Sequence, residues 1–554
     1  MQMPAASAEL DPADPYAREA QTFPRVDSEM AARIGQFGSE EDVSAGAMLF
    51  ERGQRGVDFF LIVAGAVEVF ETDVCGQTNL ITVHTPRQFA GEMDLFNDRQ
   101  ILVSARATEA SRVVRVKRPD FRRLVASEPD IGEVIMRAFI LRRVGMVRHG
   151  HGVALVGPGH GADTQRIQAF MTRNNFPHRV LNTETDPAAG GFLECFHLAQ
   201  EQLPVLILPG GVVLKNPSNG ALAESLGLLE TLDENVTFDL AVVGAGPAGL
   251  AAAVYAASEG LSTLVLESIA PGGQAGTSSK IENYLGFPTG ISGQALAGRA
   301  QSQAQKFGAR LAIARSVTGL ECSVTPYRLQ LDGSQNIKAR SIVVASGARY
   351  RKLDLENYAK YEGHGIHYAA TAMEAQLCAG EEVAVVGGGN SAGQAAVFLS
   401  RNVRHVHIIV RAGGLGATMS DYLVQRIALS TRITVHPYSE VTRLGGDPML
   451  TEVGWTDRQT GQSTLKPVAN LFVMIGAEPN TEWLAGCLAL DQKGFVETGR
   501  DESGRALASP FATTRPGIFA VGDVRAGSVK RVASSVGEGA VVVQAIHQFL
   551  NPVH

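Results

Sequence analysis

Residues 238–249 read Phe-Asp-Leu-Ala-Val-Val-Gly-Ala-Gly-Pro-Ala-Gly, and this stretch decides the fold of the chain. Its first half is a mostly apolar run typical of a buried strand, and an alanine-rich helix follows the glycines directly. In a strand–turn–helix unit of this kind, Gly244 makes the tight turn, Gly246 lets the backbone approach a pyrophosphate and Gly249 lets the helix pack on the strand. The N–H groups at the helix N-terminus then favour a bound anion.

A second apolar segment favours a dinucleotide site here over a glycine turn without a ligand. Thr263–Leu266 is a predicted strand, and Glu267 follows it about 20 residues after the glycines, where a carboxylate can bind a ribose hydroxyl. The ligand-free turn remains the alternative, because a lone Gly-x-Gly-x-x-Gly pattern is weak on its own. The sequence therefore predicts a first nucleotide site with Glu267 at its ribose end.

A second fingerprint follows the predicted strand Val383–Val386 and comprises Gly387, Gly388, Gly389, Asn390, Ser391 and Ala392. Alanine in the third small position still permits close packing of the helix on the strand. The next predicted strand, His405–Val410, ends in Arg411, whereas a carboxylate at that place would repel a 2′-phosphate. We therefore expect NADPH here in preference to NADH, and the alternative is that Arg411 is a solvated surface charge.

Two fingerprints set among alternating strands and helices predict a doubly wound parallel sheet that is used twice. The 554 residues are too many for one core and should form about three domains. The net charge of −7 argues against nonspecific nucleic-acid binding. The apolar stretch 240–266 is interrupted by glycines and Glu259, so we expect no membrane span. The acidic first residues lack the apolar core of a secretory signal, and we expect a cytoplasmic protein.

The five cysteines give no sign of a redox pair, because none of them lies in a Cys-x-x-Cys motif. They are scattered along the chain at Cys75, Cys195, Cys322, Cys378 and Cys487. An odd and dispersed set of this kind is typical of reduced thiols in the cytosol. We expect each of them to be a small, buried hydrophobic residue.

From residue 238 to 554 the chain resembles a low-molecular-weight thioredoxin reductase, and the resemblance rests on five motifs in the family's order. They are Pro271-Gly272-Gly273-Gln274, Glu282-Asn283-Tyr284, Ala345-Ser346-Gly347, Gly517-Ile518-Phe519-Ala520-Val521-Gly522-Asp523 and Arg531-Val532-Ala533. The resemblance implies FAD in the first site, contacted by Gly273, Gln274 and Asn283. It also implies that Asp523 binds the ribityl chain, a plain helix or turn cap being the alternative, and that the helix beginning at Val532 faces the flavin pyrimidine.

The same resemblance implies a homodimer and an NADPH domain that rotates. Gly476-Ala477-Glu478-Pro479-Asn480 resembles the family's return crossover into the FAD domain. Because the family must bring nicotinamide to a shielded flavin, we expect the NADPH domain to turn about linkers at 348–351 and 475–477.

The family's Cys-Ala-Thr-Cys is replaced here by Ala-Ala-Thr-Ala at 369–372. Ala369 and Ala372 cannot form a thiolate, so thiol–disulfide exchange is impossible at this position, and Cys378 is interpreted as structural. We predict no catalytic side chain and no metal ligand. In one hypothesis, hydride passes from NADPH to flavin N5 and electrons leave the flavin directly. The acceptor is then a ferredoxin or flavodoxin, as in thioredoxin-reductase-like ferredoxin–NADP reductases, or a quinone, oxygen or another small molecule. In the other, the protein is a non-enzymatic redox or nucleotide sensor.

Residues 26–148 resemble a cyclic-nucleotide-binding β-roll, since short alternating apolar runs are separated by glycines. Asp58–Val69 is close to that family's strand–Gly–strand pattern, and Phe89–Phe96 resembles its phosphate cassette. No recognition helix follows the roll, so we expect no transcription-factor role.

The resemblance makes Glu92 the ribose-binding carboxylate, but Ile101-Leu102-Val103 occupies the place of the phosphate-binding arginine. Burying an uncompensated phosphate in an apolar cassette would be costly. We therefore expect a roll that no longer binds cAMP. The alternative is that Arg99 or Arg106 substitutes through a shifted register.

Residues 151–230 resemble a thioredoxin- or glutaredoxin-like domain without its cysteines. The pattern predicts strands at Val153–Val156, Arg179–Leu181 and Pro204–Leu208, a turn at Gly210-Gly211, and helices at Thr164–Asn174 and near Ala221–Leu226. Leu203-Pro204 stands where such folds keep a cis-proline, and Gly161-Ala162-Asp163-Thr164 stands where their redox motif would fall. A thiol-free domain offers no electron path, so we expect it to act in docking or interaction.

The expected architecture is therefore multidomain, with an all-β roll, a small α/β unit and two Rossmann-like α/β units. The predicted boundaries are a flexible N-terminus at 1–25, the roll at 26–148, the thioredoxin-like domain at 151–230, the FAD domain at 236–348 and 476–554, and the NAD(P)H domain at 349–475.

Overall fold

The computed structural model describes residues 19–551, except for residues 75, 92, 97, 98, 149–151, 160, 210, 279, 280, 356, 363, 369, 371, 448 and 485. Over this part of the chain it contains a β-roll, a small mixed α/β unit and two doubly wound units. None of the described helices combines the length and the apolar character that a membrane crossing requires.

The β-roll consists of two antiparallel sheets closed by helices. Its elements are α1 (Glu19–Thr22), α2 (Ser28–Gly35), β1 (Ser39–Val43), β2 (Met48–Phe50), β3 (Phe59–Ala64), β4 (Val67–Thr72), β5 (Thr78–His84), β6 (Phe89–Ala90), β7 (Ser104–Ala107), β8 (Ser111–Val116), α3 (Arg118–Ser127) and α4 (Pro129–Arg148). The strand orders are β1-β8-β3-β6 and β2-β7-β4-β5. Burial alternates along β4 as the period of a half-buried strand requires. Helix α4 closes the roll, and Phe139 on it joins the aromatic core.

The mixed unit has the order of elements that the sequence predicted, with one additional helix, α6, and one additional strand, β12. Its elements are β9 (Val153–Gly157), α5 (Ala162–Arg173), β10 (His178–Asn182), α6 (Ala188–Cys195), β11 (Val205–Ile207), β12 (Val213–Lys215) and α7 (Asn219–Ser225). The strands lie in the order β10-β9-β11-β12, and the Leu203–Pro204 peptide bond is cis, as expected. The additional helix, α6, contains Gly190 and Gly191, which lower helix propensity and hid it from the pattern. Gly210 of the predicted turn lies outside the described residues.

The rest of the chain alternates strands and helices. Its elements are β13 (Thr237–Val243), α8 (Pro247–Ser258), β14 (Thr263–Glu267), α9 (Gly293–Lys306), β15 (Arg310–Ile313), β16 (Val317–Glu321), β17 (Tyr327–Leu331), β18 (Asn336–Val344), β19 (Ala348–Tyr350), α10 (Tyr358–Tyr361), β20 (Ile366–His367), α11 (Ala372–Leu377), β21 (Glu382–Val386), α12 (Asn390–Leu399), β22 (His405–Ile409), α13 (Asp421–Ala428), β23 (Ile433–His436), β24 (Ser439–Gly445), β25 (Glu452–Asp457), β26 (Ser463–Lys466), β27 (Asn470–Val473), β28 (Ala477–Pro479), β29 (Ile518–Ala520) and α14 (Val532–Leu550).

The first doubly wound unit is built on a sheet in the order β15-β14-β13-β18-β17-β16, with β29 paired to β18. Strands β15, β14, β13, β18 and β29 are parallel, so their carboxyl ends share one edge. Strands β16–β18 form an antiparallel meander. Helices α8 and α14 pack together against the sheet, and Gly539 permits this because a Cβ there would lie 2.1 Å from the Ala248 carbonyl oxygen.

The second doubly wound unit has the parallel sheet β20-β27-β21-β22-β23 and a separate antiparallel sheet β24-β25-β26. The chain enters this unit through β19 and leaves it through β28. These two strands pair antiparallel, Ala348 with Pro479 and Tyr350 with Ala477. The two crossings between the units are therefore hydrogen-bonded to each other, and they overlap the linkers predicted at 348–351 and 475–477.

The β-roll, the mixed unit and the first doubly wound unit share a continuous apolar core. Ile62 of the roll, Leu206 of the mixed unit and Ile313 at the end of β15 belong to one buried cluster. Polar contacts join the same three parts: Arg310 Nε donates to Glu230 at 2.8 Å, and the Gln100 N–H donates to the Gly227 carbonyl at 3.3 Å. The mixed unit is therefore packed against its neighbours on both sides.

The expectation of five reduced, buried cysteines is wrong for three of them. Cys322 and Cys487 form a disulfide with a Cα–Cα distance of 5.9 Å, and Cys195 is a free, exposed cysteine. Cys378 is free and fully buried, as expected, and Cys75 lies outside the described residues. The bonded pair is 165 residues apart, so no local spacing could reveal it.

The disulfide lies on the meander, far from the carboxyl edge of the parallel strands. Cys322 directly follows Glu321, which pairs with Arg328, and Arg328 pairs with Lys338 near the start of β18. Strand β18 then continues to Val344 before it reaches that edge. At about 3.3 Å per residue, the disulfide is roughly 15–20 Å below the edge. It ties the meander to the segment after β28.

Candidate functional site

The first glycine turn connects β13 to α8 at the carboxyl edge of the sheet, and two of its glycines are sterically obligatory. Gly244 has φ +106°, and a Cβ there would lie 2.3 Å from the Ala345 carbonyl oxygen. A Cβ on Gly249 would lie 1.9 Å from the Gly244 carbonyl oxygen. Both distances are far below any real contact. The turn and the close helix–strand packing therefore both depend on glycine.

The middle glycine leaves the space that a diphosphate needs. Gly246 is the residue immediately before α8, and among the described residues no heavy atom lies within 4 Å of the position its Cβ would take. The first N–H groups of α8 are free to face this opening, with the helix dipole behind them. Gly273 lies opposite, since its Cβ would be 3.1 Å from Gly246 Cα. The result is an open, glycine-lined cradle at a helix N-terminus.

Glu267 ends β14 beside this cradle, and backbone N–H groups hold its carboxylate. Oε2 accepts from the Ala245 N–H at 2.8 Å, and Oε1 accepts from the Ile269 N–H at 3.0 Å. The side chain is thus fixed one residue from Gly246, with lone pairs still available for hydroxyl donors. This is the arrangement that ribose binding requires.

The loop after β14 lines the other side of the cradle. Gln274 donates from its side-chain amide to the Ala348 carbonyl oxygen, which connects this loop to the first crossing strand. Ser346 and Asn480 bond to each other's backbone carbonyls at 2.7 and 2.9 Å, and they fix the two crossings at the same edge. Asn283 is exposed and lies further along the loop.

Asp523 lies at the opposite end of the edge, in a 3₁₀ turn before α14. Burial raises the pKa of its carboxyl, Lys530 opposes this and Glu538 adds to it. Within the described residues no group donates a hydrogen bond to that carboxylate, because Lys530 Nζ donates to the backbone oxygen of Asp523 instead. A half-buried carboxylate without a donor fits a ligand hydroxyl. Val532 begins α14 nearby, so a second helix N-terminus faces the same edge.

The second glycine turn repeats these features between β21 and α12. Gly387 has φ +139°, and its Cβ would lie 2.3 Å from the Met474 carbonyl oxygen. Gly389 immediately precedes α12, and the Asn390 side chain accepts from the Ser420 N–H at 2.7 Å. Ala392 is fully buried, as its packing role requires.

The residues around the second turn leave room for a charged ligand. Ser391 is exposed beside the turn, and Arg411 is exposed just after β22. Arg411 belongs to none of the ion pairs found among the described residues. Its guanidinium is therefore available to a phosphate at the edge of the second sheet.

A group of tyrosines that sequence reasoning missed lies between the two units. Tyr350 stacks on Tyr368 with ring centroids 5.5 Å apart, and Tyr358 Oη donates to Tyr368 Oη at 2.9 Å. Tyr368 Oη in turn donates to Glu362 at 2.6 Å. Burial raises the pKa of Tyr358 to about 12 and that of Tyr368 as well, so both phenols stay protonated. The sequence does carry one signal for this group, because tyrosines recur on both sides of β20, the first strand of the second unit.

The position of the missing thiols contains no substitute thiolate. Ala369 lies outside the described residues, and Ala372 begins α11. Cys378 follows that helix, and burial, reinforced by Glu381 and Glu374, raises the pKa of its thiol. A buried, protonated thiol is a poor nucleophile. The interpretation of Cys378 as structural agrees with this environment.

Within the described residues, the interior of the β-roll beside the predicted cassette is occupied by the side chain of Arg142. Arg142 of α4 is 7% exposed, and its guanidinium donates to the carbonyls of Thr22, Gly91 and Phe89 at 2.9–3.2 Å. The same guanidinium lies over the rings of Phe23, Phe89 and Phe139. The cavity that remains beside it is about 30 Å³, which is room for a water or two.

The cassette residues give no open phosphate site within the described residues. Glu92 lies outside them. Ile101, Leu102 and Val103 are buried in the core, and Arg106 pairs with Glu68 on the outer face over the Phe70 ring. Of the two arginines considered as substitutes, Arg99 is the buried one.

Two doubly wound units, each with a glycine turn at the carboxyl edge of its sheet and joined by paired crossing strands, define an oxidoreductase of the two-dinucleotide class. The chain belongs to the pyridine nucleotide-disulphide oxidoreductase family, whose pattern matches residues 238–539. A cyclic nucleotide-binding domain pattern matches residues 40–128, within the predicted roll.

Known relatives agree with this assignment. The chain is similar to NADPH-dependent thioredoxin reductase 3 of Arabidopsis thaliana, at 31% identity over 62% of this chain and 65% of the relative. It is 33% identical to the thioredoxin reductase of Mycolicibacterium smegmatis, over 54% of this chain and 93% of the relative. The crystal structure of Lactococcus lactis thioredoxin reductase in its FR conformation matches at 30% identity and a TM-score of 0.53, over 57% of this chain and all of that one. The predicted thioredoxin-reductase-like fold is confirmed.

Proposed function

We propose that this protein is an FAD-dependent NADPH oxidoreductase that delivers electrons from its flavin directly to an acceptor outside the chain. The observation that carries the proposal is the combination of two complete glycine turns with alanine at both positions of the family's redox pair. Bound FAD would supply the redox chemistry by accepting a hydride from the reduced nicotinamide and passing electrons on.

The residues of the first unit fit FAD along the whole carboxyl edge. The cradle at Gly246 would hold the diphosphate, Glu267 the ribose hydroxyls and Asp523 a hydroxyl of the ribityl chain. The N-terminus of α14 at Val532 would stabilise negative charge on the pyrimidine side of the ring. Gly273, Gln274 and Asn283 complete the wall on the other side.

The residues of the second unit fit a reduced nicotinamide dinucleotide. Gly387 and Gly389 form the turn, and Asn390, Ser391 and Ala392 begin α12. The exposed Arg411 would bind the 2′-phosphate of NADPH. NADH remains possible, because its ribose hydroxyls do not conflict with an arginine. Its ribose would, however, find no carboxylate partner at this strand end. The tyrosine group at Tyr368 lies between the units and offers no group that titrates near neutral pH.

The Cys322–Cys487 disulfide is not a replacement for the missing outlet. It lies on the meander, roughly 15–20 Å from the edge that carries the first glycine turn, and both cysteines pack against the core of that unit. A dithiol relay must touch the flavin on one side and solvent on the other. We therefore place the acceptor outside the chain: a ferredoxin, a flavodoxin, a quinone or another small molecule.

A second candidate function is a non-enzymatic redox or nucleotide sensor. What favours it is the continuous core that joins the roll, the mixed unit and the first doubly wound unit, since a change in one part can then bias the others. In either case we propose a cytoplasmic homodimer.

The deciding experiment is an anaerobic titration of the purified protein with NADPH and with NADH, followed by turnover with a panel of acceptors that includes oxidised thioredoxin. An oxidoreductase reduces its flavin stoichiometrically, prefers NADPH and turns over a one-electron or quinone acceptor. Stoichiometric reduction with very slow turnover of every acceptor would favour the sensor. Thioredoxin reduction at the rate of a dithiol reductase would disprove direct transfer from the flavin.

A further inference from the structure

The end of helix α5, in the mixed unit, lies on the loops that form the first dinucleotide site. Arg173 Nη2 donates to the Gly273 carbonyl at 3.2 Å, and Asn174 Nδ2 donates to the Ile269 carbonyl at 3.1 Å. From the other side, Gln294 Nε2 donates to the Thr172 carbonyl at 2.6 Å. The last two residues of α5 and the residue that follows it are thus fixed against the loop after β14 and the start of α9. These three residues precede 238–539, the range that the family pattern covers.

The contact places a cation beside the open cradle. Gly273 accepts from Arg173, and a Cβ on Gly273 would lie 3.1 Å from Gly246 Cα. Gly246 is the glycine with free space in front of it. The guanidinium is therefore separated from the cradle by a single glycine peptide.

The guanidinium of Arg173 lacks part of its hydrogen bonding. Its Nε is buried and finds no hydrogen-bond partner among the described residues. Burial lowers the pKa of the guanidinium, and attraction to Glu267 and Tyr350 opposes this. Glu267 accepts from two backbone N–H groups, and among the described residues no hydrogen bond or ion pair joins it to Arg173. A diphosphate in the cradle would supply the negative charge that this partly buried guanidinium lacks.

Asn174 fixes this arrangement from the next position. It is 2% exposed, and its amide nitrogen is shared between the Phe170 and Ile269 carbonyls at 2.9 and 3.1 Å. Since Ile269 donates its own N–H to Glu267, the end of α5 and the ribose-end carboxylate are linked through one residue. The position of the arginine is therefore set by the site itself.

We infer that Arg173 is a cofactor-binding residue for the diphosphate of FAD, supplied to the reductase unit by the thiol-free mixed unit. This rests on the proposed function, because it presumes that FAD occupies the first site. It gives the mixed unit a role that needs no cysteine: it completes the anion site of the flavin.

The test compares three variants of the full-length protein by the affinity of the apoprotein for FAD and for ADP. Arg173→Met removes the charge and keeps the length of the side chain, and Arg173→Lys keeps the charge without the fork. The matched control is Arg179→Met, an exposed arginine on β10 of the same unit. We expect Arg173→Met to weaken both ligands about tenfold to a hundredfold, Arg173→Lys to weaken them less, and the control to change neither. ADP reports the diphosphate half without any redox readout.

Each variant is also measured by the increase in its own melting temperature on adding FAD, so that a general loss of stability cancels. If Arg173→Met loses stability equally with and without FAD and keeps wild-type affinity for FAD and ADP, the arginine only docks the two units and the inference is wrong. In that case a wild-type protein that binds FAD and is reduced by NADPH still supports the proposed function. A wild-type protein that binds no FAD would disprove both the proposed function and the role of Arg173.

Discussion

The β-roll and the first dinucleotide unit both follow motifs that are readable in the sequence, but they differ in what occupies the space beside those motifs. In the dinucleotide unit, Gly246 faces open space at a helix N-terminus. In the roll, the Arg142 guanidinium lies beside the predicted cassette, against three backbone carbonyls and three aromatic rings. The two motifs therefore differ in the space that the described residues leave beside them. Whether a motif still binds is decided by the space in front of it.

The largest expected effect comes from adding a methyl group where the first glycine turn is most tightly packed. Gly249→Ala places a Cβ 1.9 Å from the Gly244 carbonyl oxygen, which cannot move without opening the turn. We expect a loss of about 3 kcal/mol or more in the free energy of unfolding, and no bound flavin after purification. Thermal unfolding and the visible absorbance of the purified protein measure the two effects.

The matched control is Gly537→Ala, in helix α14, where a Cβ would meet no atom within 4 Å. Alanine is a better helix former than glycine, so this variant should be as stable as the wild type or slightly more so. If both variants kept their flavin, the packing of the first turn would not limit binding.

The role of the arginine inside the β-roll is tested by Arg142→Met. The change removes three hydrogen bonds that the buried guanidinium donates to the carbonyls of Thr22, Gly91 and Phe89, which should lower the free energy of unfolding by about 2–3 kcal/mol. Arg137→Met on the same helix is the control, because its pair with Glu133 is exposed. Urea unfolding of both variants measures the difference.

Cyclic AMP gives the second readout on the roll. Since the cavity beside Arg142 is about 30 Å³, we expect no binding heat when the wild-type protein is titrated with cAMP. Micromolar binding would show that Arg142 moves aside, and the two regions would then differ less than the structure indicates.

The disulfide gives an intermediate effect. Cys322→Ala should lower the free energy of unfolding by about 2 kcal/mol in the absence of reductant, because the bond closes a loop of 165 residues in the unfolded chain. In dithiothreitol the wild type and the variant should unfold alike, and thiol titration of the unfolded wild type should find two fewer free thiols before reduction. Equal stability under both conditions would mean that these cysteines are reduced in solution.

What the sequence could predict, and what it could not, follows from distance along the chain. The two glycine turns and Glu267 are local features, because adjacent residues determine their chemistry. The cis Leu203–Pro204 bond was expected from the resemblance to thioredoxin-like folds. The Arg142–Thr22 contact joins residues 120 apart, Arg173–Gly273 joins residues 100 apart, and the disulfide spans 165. Each of these depends on how separate units pack, and no periodicity or spacing encodes it. Helix α6 was missed for another reason, since its glycines mask a local signal.

The smallest expected effect concerns the second glycine turn, where the question is which dinucleotide the open space accepts. Arg411→Ala should raise the KM for NADPH about tenfold and leave that for NADH unchanged, because one exposed guanidinium contacts only the 2′-phosphate. Arg401→Ala, another exposed arginine of the same unit, is the control. Flavin reduction measured by stopped flow under anaerobic conditions gives both constants. An equal rise in the KM for NADPH and for NADH would mean that Arg411 supports the turn itself. An unchanged KM for both nucleotides would mean that Arg411 is a solvated surface charge. The selectivity of the site would then have to come from the backbone of the turn, which the two nucleotides contact in the same way.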